Sequence, residues 1–289
     1  MTRYLSSITK TVSLALLLNV LLLSANPLRA DDTNTPGPDE IVFGILPIIS
    51  TETLFTRFAP MAEYLSKNLG RHVRIETAPD FTTFLRRTNE EQRYDLLFTA
   101  PHFYYLAQRK ANYRIINRIA APGMRAIIIV PVNSDINTLD DLKGRRLATT
   151  DRAALATMMV QNHLKRASID LDKDIQQVTT PNHTASLLSA YKGVTDAAAL
   201  MLPPFKRSSD EIQQSMRILA TTDAVPQMVF AVKQTMDSEL ADKAQAALLN
   251  IASDEQGNST LLSMKWPGLV KAEADEYNSL EWAVEQLEK

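Results

Sequence analysis

Continuous apolar runs alternate with apolar residues at helical spacing along most of this chain. Ile41–Leu46 is an unbroken apolar run, as expected for a strand that is buried on both faces. From Leu54 to Leu69 the apolar residues recur every three or four positions, which predicts a helix that ends at Gly70. Later strand patterns occupy Leu96–Thr99, Ala126–Val132 and Arg146–Thr150, and later helix patterns occupy Phe81–Gln92, His102–Ala111 and Ala153–Ala167. This alternation predicts an α/β protein with parallel strands, since parallel neighbours are joined through helices.

The strand and helix plan of residues 41–120 recurs in residues 146–221. Two similar lobes with a ligand cleft between them are the simplest packing of such a chain. We predict lobe 1 from residues 40–123 and 226–289, and lobe 2 from residues 124–225. Each lobe is expected to hold a mainly parallel sheet flanked by helices. Because open α/β sheets bind ligands at the carboxyl ends of their strands, we expect the binding residues there.

The first thirty residues fit a cleavable export signal. Arg3 and Lys10 precede an apolar stretch at 12–23, and Ala30 ends a small-residue cleavage site. The stretch is shorter than the roughly 20 residues that span a bilayer; an uncleaved N-terminal anchor is the alternative. Because no Cys follows it, we expect no lipoprotein anchor. We predict a disordered linker at residues 31–39 and a periplasmic protein.

Composition and charge exclude several classes of function. The chain has 31 Lys and Arg against 33 Asp and Glu, and loss of three basic residues with the signal leaves 28 − 33, or −5. Such a chain offers no basic surface for nucleic acid. The absence of Cys excludes thiol catalysis and thiolate metal sites. Because the catalytic motifs of hydrolases and nucleotide-binding enzymes are also missing, we predict no enzyme activity, no cofactor and no metal site.

Four stretches of the sequence resemble the phosphate/phosphite/phosphonate periplasmic binding proteins, the PhnD-like group of type II solute-binding proteins. They are FAPMAEYLSKNLG with VRIETAPDF (58–81), YDLLFTAPHFYYLA (94–107), MRAIIIVPVNSDINTLDDLKGRRLATTD (124–151) and NHTASLLSAYKGVTDAAA (182–199). The resemblance covers nearly all of residues 40–235 in order and spacing. It implies a two-lobed type II fold and a receptor, usually monomeric, that closes on a small anion.

The resemblance is weaker at the helix start that holds the oxyanion in this family. The family pattern there is similar to Asp-Pro-x-Ser-Thr-Ser-Gly, whereas residues 151–157 read DRAALAT, so the hydroxyl trio is missing. Phe81 stands where the family has Tyr, while Tyr104 and His183 match. Thr150 or Asp151 is expected to cap the helix, with free backbone N–H groups available for an anion.

Nine residues at predicted strand ends and helix starts form the candidate ligand site. Arg152 is expected to replace part of the lost hydroxyls with a bidentate contact, the alternative being a solvated position on the rim. The histidines are expected to donate to an oxyanion, the alternative being that they only cap helices. The set is Phe81, Thr99, His102, Tyr104, Arg152, Ala153, Ala154, His183 and Met228.

Together these observations predict a periplasmic receptor that captures a phosphonate-, phosphite- or phosphate-like anion for an ABC importer, with a membrane permease as its partner. The alternative is a ligand-presenting partner of a membrane sensor kinase with a ligand other than a phosphonate, because the oxyanion motif is altered.

Overall fold

The computed structural model describes residues 40–288, so the predicted export signal and linker (residues 1–39) lie outside the described residues. The strands are β1 (Glu40–Ile45), β2 (His72–Glu76), β3 (Leu96–Thr99), β4 (Arg114–Ile119), β5 (Ala126–Pro131), β6 (Arg146–Thr149), β7 (Gln176–Thr179), β8 (Ala197–Met201), β9 (Met216–Thr221), β10 (Val229–Val232) and β11 (Leu269–Lys271). The helices are α1 (Thr51–Leu69), α2 (Phe81–Asn89), α3 (Pro101–Ala111), α4 (Leu155–Arg166), α5 (His183–Tyr191), α6 (Leu202–Lys206), α7 (Asp210–Ser215), α8 (Ser238–Leu249), α9 (Glu255–Met264) and α10 (Glu281–Leu287).

The strands form two sheets, each with most of its strands pointing in one direction. The first sheet has the order β11-β4-β10-β3-β1-β2, and the second has the order β7-β6-β8-β5-β9. In the first sheet β1 to β4 point one way, while β10 and β11 run against them. In the second sheet β6 to β9 point one way and only β5 runs against them. The prediction of an α/β protein with two mainly parallel sheets is confirmed.

The two sheets repeat one plan in which an antiparallel strand sits between the third and fourth parallel strands. That inserted strand is β10 in the first sheet and β5 in the second. The chain leaves the first sheet after β4 and enters the second at β5, then returns from β9 to β10. Met124 and Val225 pair where the two connections run side by side, with N···O distances of 2.7 and 2.9 Å. The finer lobe limits at 123/124 and 225/226 stay a prediction.

Local sequence explains where the main elements begin and end. Helix α1 starts after Ser50, whose hydroxyl accepts from the Thr53 N–H, and it ends at Gly70, which is left-handed with φ of 64°. Strand β5 is a continuous apolar run because it lies between β8 and β9 with both faces covered.

One buried apolar cluster draws residues from both sheets. It includes Val42 and Leu97 of the first sheet together with Ile128 and Leu147 of the second. The C-terminal 3₁₀ segment Ala274–Leu280 and helix α10 pack on α3, and α10 also contacts α4. The C-terminal segment therefore contacts helices that belong to both halves. Between residues 40 and 288, no helix is long and apolar enough to cross a membrane.

Candidate functional site

Apart from Met228, which precedes the antiparallel strand β10, the predicted binding residues lie at the carboxyl ends of parallel strands or at the starts of the helices that follow. Phe81 and His183 are the first residues of α2 and α5, and Thr99 is the last residue of β3. His102 is the second residue of α3, and Ala154 immediately precedes α4. Strand order therefore places residues that are distant in sequence at the edges of the two sheets where the parallel strands end.

The helices at these edges differ in how their first N–H groups are satisfied. Helices α1, α2 and α5 are capped by Ser50, Asp80 and Asn182, whose side-chain oxygens accept backbone N–H bonds of 3.4, 2.7 and 2.9 Å. Helices α3 and α4 start at Ala100 and Ala154, and no side chain of the described residues caps either of them. The prediction of Thr150 or Asp151 as the cap of α4 is wrong. The first turns of α3 and α4 thus keep N–H groups for another partner.

A hydrogen bond joins the starts of α3 and α4, which belong to different sheets. His102 Nε2 lies 3.0 Å from the carbonyl oxygen of Ala153, and His102 is only 1% exposed. Because a carbonyl oxygen can only accept, Nε2 must carry the proton of this bond. Burial lowers the pKa of His102 to about 4, opposed by the hydrogen bond to Ala153, so the ring is neutral near pH 7. The two uncapped helix starts therefore lie side by side with a neutral histidine between them.

The turn before α4 is built by its own charged residues. Asp151 Oδ1 accepts from the Ala153 N–H at 2.8 Å, which fixes the turn. Arg152 is exposed, and its Nη2 lies 2.9 Å from both carboxylate oxygens of Asp172. The guanidinium is therefore paired within its own half of the molecule. A ligand contact from Arg152 stays a prediction.

Aromatic side chains pack around the start of α3. Phe81 meets Phe103 edge to face, with ring centroids 5.6 Å apart. Tyr104 is buried and packs edge to face on Tyr277 at 5.2 Å, and burial raises its pKa to about 12. Because residues two apart on a helix point to nearly opposite sides, His102 and Tyr104 face different surroundings. Tyr104 therefore packs toward the C-terminal segment, while His102 faces Ala153.

Thr99, His183 and Met228 take no part in the His102–Ala153 hydrogen bond. Thr99 is fully buried, and its hydroxyl has no partner among residues 40–288. His183 has a buried Nδ1 that is likewise unpaired there, and burial, then the charge of Arg207, lowers its pKa to about 4. Met228 is partly buried and packs on the apolar clusters. Their roles in binding stay predictions.

Comparison with known proteins identifies the family of the chain. The model of the periplasmic substrate-binding proteins of phosphonate ABC transporters matches residues 43–277. This chain belongs to that family. It is 20% identical over 236 residues to the phosphonates-binding periplasmic protein of Escherichia coli K12, covering 78% of this chain and 70% of that protein.

Solved structures agree in fold with this family member. PhnD1 of Prochlorococcus marinus, in complex with methylphosphonate, has a TM-score of 0.76 at 16% identity and covers 88% of this chain and 100% of its own. A binding-protein component of an ABC phosphonate transporter from Pseudomonas aeruginosa has a TM-score of 0.71 at 16% identity, with 82% and 83% covered. These likenesses confirm the type II binding-protein fold. The predicted family, fold and role as the periplasmic receptor of an ABC transporter are confirmed, and the family is one of substrate-binding proteins.

Three contacts at this site were not predicted from the sequence. The carbonyl of Ala153 is a backbone group, so no side-chain pattern signals it. Asp172 lies twenty positions from Arg152, in the segment between α4 and β7, and only folding brings the two side chains together. Thr150 and Thr157 pair their buried hydroxyls at 3.1 Å, so these hydroxyls contact each other.

Proposed function

We propose that this protein binds a small phosphonate-type oxyanion at the starts of α3 and α4 and delivers it to an ABC importer. The observation that carries the proposal is the meeting of two uncapped helix starts from different sheets, joined by the His102–Ala153 hydrogen bond. Each start offers backbone N–H groups and the positive end of a helix dipole, which together favour an anion.

The charges around this site favour a ligand held by backbone amides. Arg152 is already paired with Asp172, and His102 is neutral, so neither supplies a free positive charge. Ala153, Ala154 and Ala156 put small side chains beside the amides of α4, which lets an oxyanion approach the backbone. Hydrogen bonds from uncharged amides then replace the hydroxyl trio of the family pattern.

The aromatic residues beside the start of α3 favour a small apolar substituent on the oxyanion. Phe81 and Phe103 lie on the α3 side of the site as an edge-to-face pair. A methyl group suits such a surface, whereas a ligand ammonium group needs a carboxylate partner. The acidic positions that take a ligand ammonium group in this family fall near Pro203 and Met228, which are uncharged here. We therefore propose methylphosphonate or phosphite as the ligand class, in preference to an aminophosphonate.

The wider biological role follows from the family. We propose that residues 1–30 are removed on export, that the receptor is a monomer, and that its two halves close on the ligand by a hinge motion at the two connections between the sheets. The role as a partner of a sensor kinase stays the sequence-based alternative. Co-purification with a permease from membranes, and not with a kinase, is the result expected from the importer role.

Ligand binding is tested with protein purified from the periplasm after expression of the full chain. Thermal unfolding is measured with methylphosphonate, phosphite and phosphate, and tetramethylammonium serves as a small methylated cation control. A bound ligand at about 100 times its Kd stabilises the fold by about 2.7 kcal/mol, and the control should give no shift. If none of the three oxyanions raises the unfolding temperature or produces heat in titration calorimetry, the proposal is wrong.

A further inference from the structure

The second ring nitrogen of His102 is a buried acceptor that the site leaves unpaired. Since Nε2 uses its proton on the Ala153 carbonyl, Nδ1 of the neutral ring carries a lone pair and no proton. Nδ1 is shielded from solvent and has no hydrogen-bond partner among residues 40–288. A buried acceptor without a donor is costly, so such an atom calls for a partner that arrives from outside the chain.

The charged groups around His102 are already engaged elsewhere. On the α4 side, Asp151 accepts from the Ala153 N–H and Arg152 pairs with Asp172. Charged side chains of α3 and of the elements packed on it form the pairs Arg109–Glu281, Lys110–Glu288, Arg86–Glu91, Arg87–Glu76 and Arg118–Glu276. Asp275 and Glu285 on those elements are exposed and form no ion pair among residues 40–288. The pKa of His102 is set by burial and by Ala153, and no charge contributes to its shift. The ring therefore stays neutral over the pH range in which phosphonates lose their second proton.

We infer that His102 accepts, through Nδ1, a hydrogen bond from a proton that the ligand itself carries, so that the site selects a monoprotonated oxyanion over a fully deprotonated one. The inference rests on the proposed function for the position of the ligand. A P–OH group can donate to Nδ1 while its remaining oxygens accept from the helix amides. A dianion or a sulfonate presents only lone pairs, and one of them would face the lone pair of Nδ1.

The decisive comparison uses two ligands of the same shape, methylphosphonate and methanesulfonate, because only the first can carry a proton near neutral pH. Calorimetry on the protein purified from the periplasm gives both Kd values from about pH 5.5 to about pH 9. We expect the Kd of methylphosphonate to be constant at low pH and to rise about tenfold per pH unit above its second ionisation. Methanesulfonate should bind at least roughly 30-fold more weakly than methylphosphonate at low pH.

The variant His102→Phe tests the residue itself, and His163→Phe is its matched control on the last turn of α4. In His102→Phe, methylphosphonate should lose roughly 10- to 100-fold in affinity, methanesulfonate should change little, and the pH dependence should flatten. In His163→Phe all three properties should match the wild type.

Two results on the wild type overturn the inference even if His102→Phe does not fold. One is a Kd of methylphosphonate that does not change through its second ionisation, and the other is equal affinity for methanesulfonate. In both, the proposed function stands because an oxyanion still binds. Absence of binding by both ligands at every pH overturns the proposed function, and this inference with it.

Discussion

Helices α1 and α4 hold equivalent places in the two halves, since each follows the parallel strand that lies between two parallel neighbours. The start of α1 is satisfied by its own side chains, with Ser50 as cap and Glu52 in the first turn. The start of α4 follows Ala154 and has no acidic residue in its first turn. One helix dipole is therefore offset by a carboxylate of its own, and the other is left for an external anion.

Strand order alone therefore does not make a binding site. Both halves place a helix at the same edge, yet only α4 leaves its first N–H groups uncapped beside the uncapped start of α3. The choice of residue at one cap position separates a structural helix start from one that is open to a ligand. Three of the predictions below change one half toward the other, and one concerns both halves.

The largest effect on stability is expected at Gly44 of β1, whose counterpart by strand pairing is Ala148 of β6. A methyl group at Gly44 would overlap the ring of Tyr94, which is fully buried and stacked on Phe84 at 5.3 Å. Gly44→Ala should therefore reduce the free energy of unfolding by about 3 kcal/mol. Urea unfolding measures the loss, and Ala148→Gly, expected to cost about 1 kcal/mol, is the matched control. An unchanged midpoint for Gly44→Ala would contradict the described packing.

A carboxylate at the start of α4 should make it resemble α1. Ala154→Asp is expected to weaken methylphosphonate binding about 100-fold, because the new charge repels the anion and its oxygens occupy the free N–H groups. Ala154→Asn is the control that caps without a charge, and its loss should be smaller. Calorimetry measures both Kd values. Both variants should gain about 1 kcal/mol of stability in urea unfolding; unaltered affinity in Ala154→Asp would move the ligand away from α4.

Acid should destabilise both halves through His102, which is buried, and His183, which is partly buried. The pKa of His102 falls from its ordinary 6.5 to about 4 on folding, so the unfolded chain binds the proton first as the pH drops. The stability is therefore full above about pH 6.5 and is lost toward pH 4, by about 2 kcal/mol at pH 5 from His102 alone.

Urea unfolding between pH 5 and pH 8 measures this loss. His102→Gln and His183→Gln should each remove part of the acid sensitivity, because the pKa of His183 is also lowered to about 4. If neither variant flattens the profile, other groups cause the acid sensitivity.

The smallest effect is expected from removing the cap of α1. Ser50→Ala should cost about 0.5 to 1 kcal/mol, since the capping bond is long, at 3.4 Å, and exposed. The affinity for methylphosphonate should not change in calorimetry. A clear loss of affinity would show that α1 takes part in the site, against the comparison with α4.

Much of the fold could be predicted because its signals are local. The apolar run at β5 and the helical spacing in α1 mark their elements with few competing interpretations. The short elements α6, α7 and β11 were not predicted, because three to six residues carry too little periodicity. The ten residues of α9 form a helix that packs on α1.

The candidate site was only partly predictable. The edge residues Thr99, His102 and Ala154 were identified from their positions after strands, since strand order determines which edge a helix start reaches. The partner of each side chain could not be predicted, because Arg152 meets Asp172 and His102 meets Ala153 only after distant segments pack together.

The alternation of strands and helices, the repeated plan and the lack of hydroxyls at the α4 start can all be read from the sequence, because they depend on residue type and local spacing. Three properties follow only from the packing of the folded chain: α3 and α4 begin side by side, the proton of His102 is on Nε2, and Arg152 is paired within its own half. These properties depend on contacts between segments about fifty residues apart for His102 and Ala153, and such contacts form only when the two sheets bury a common core.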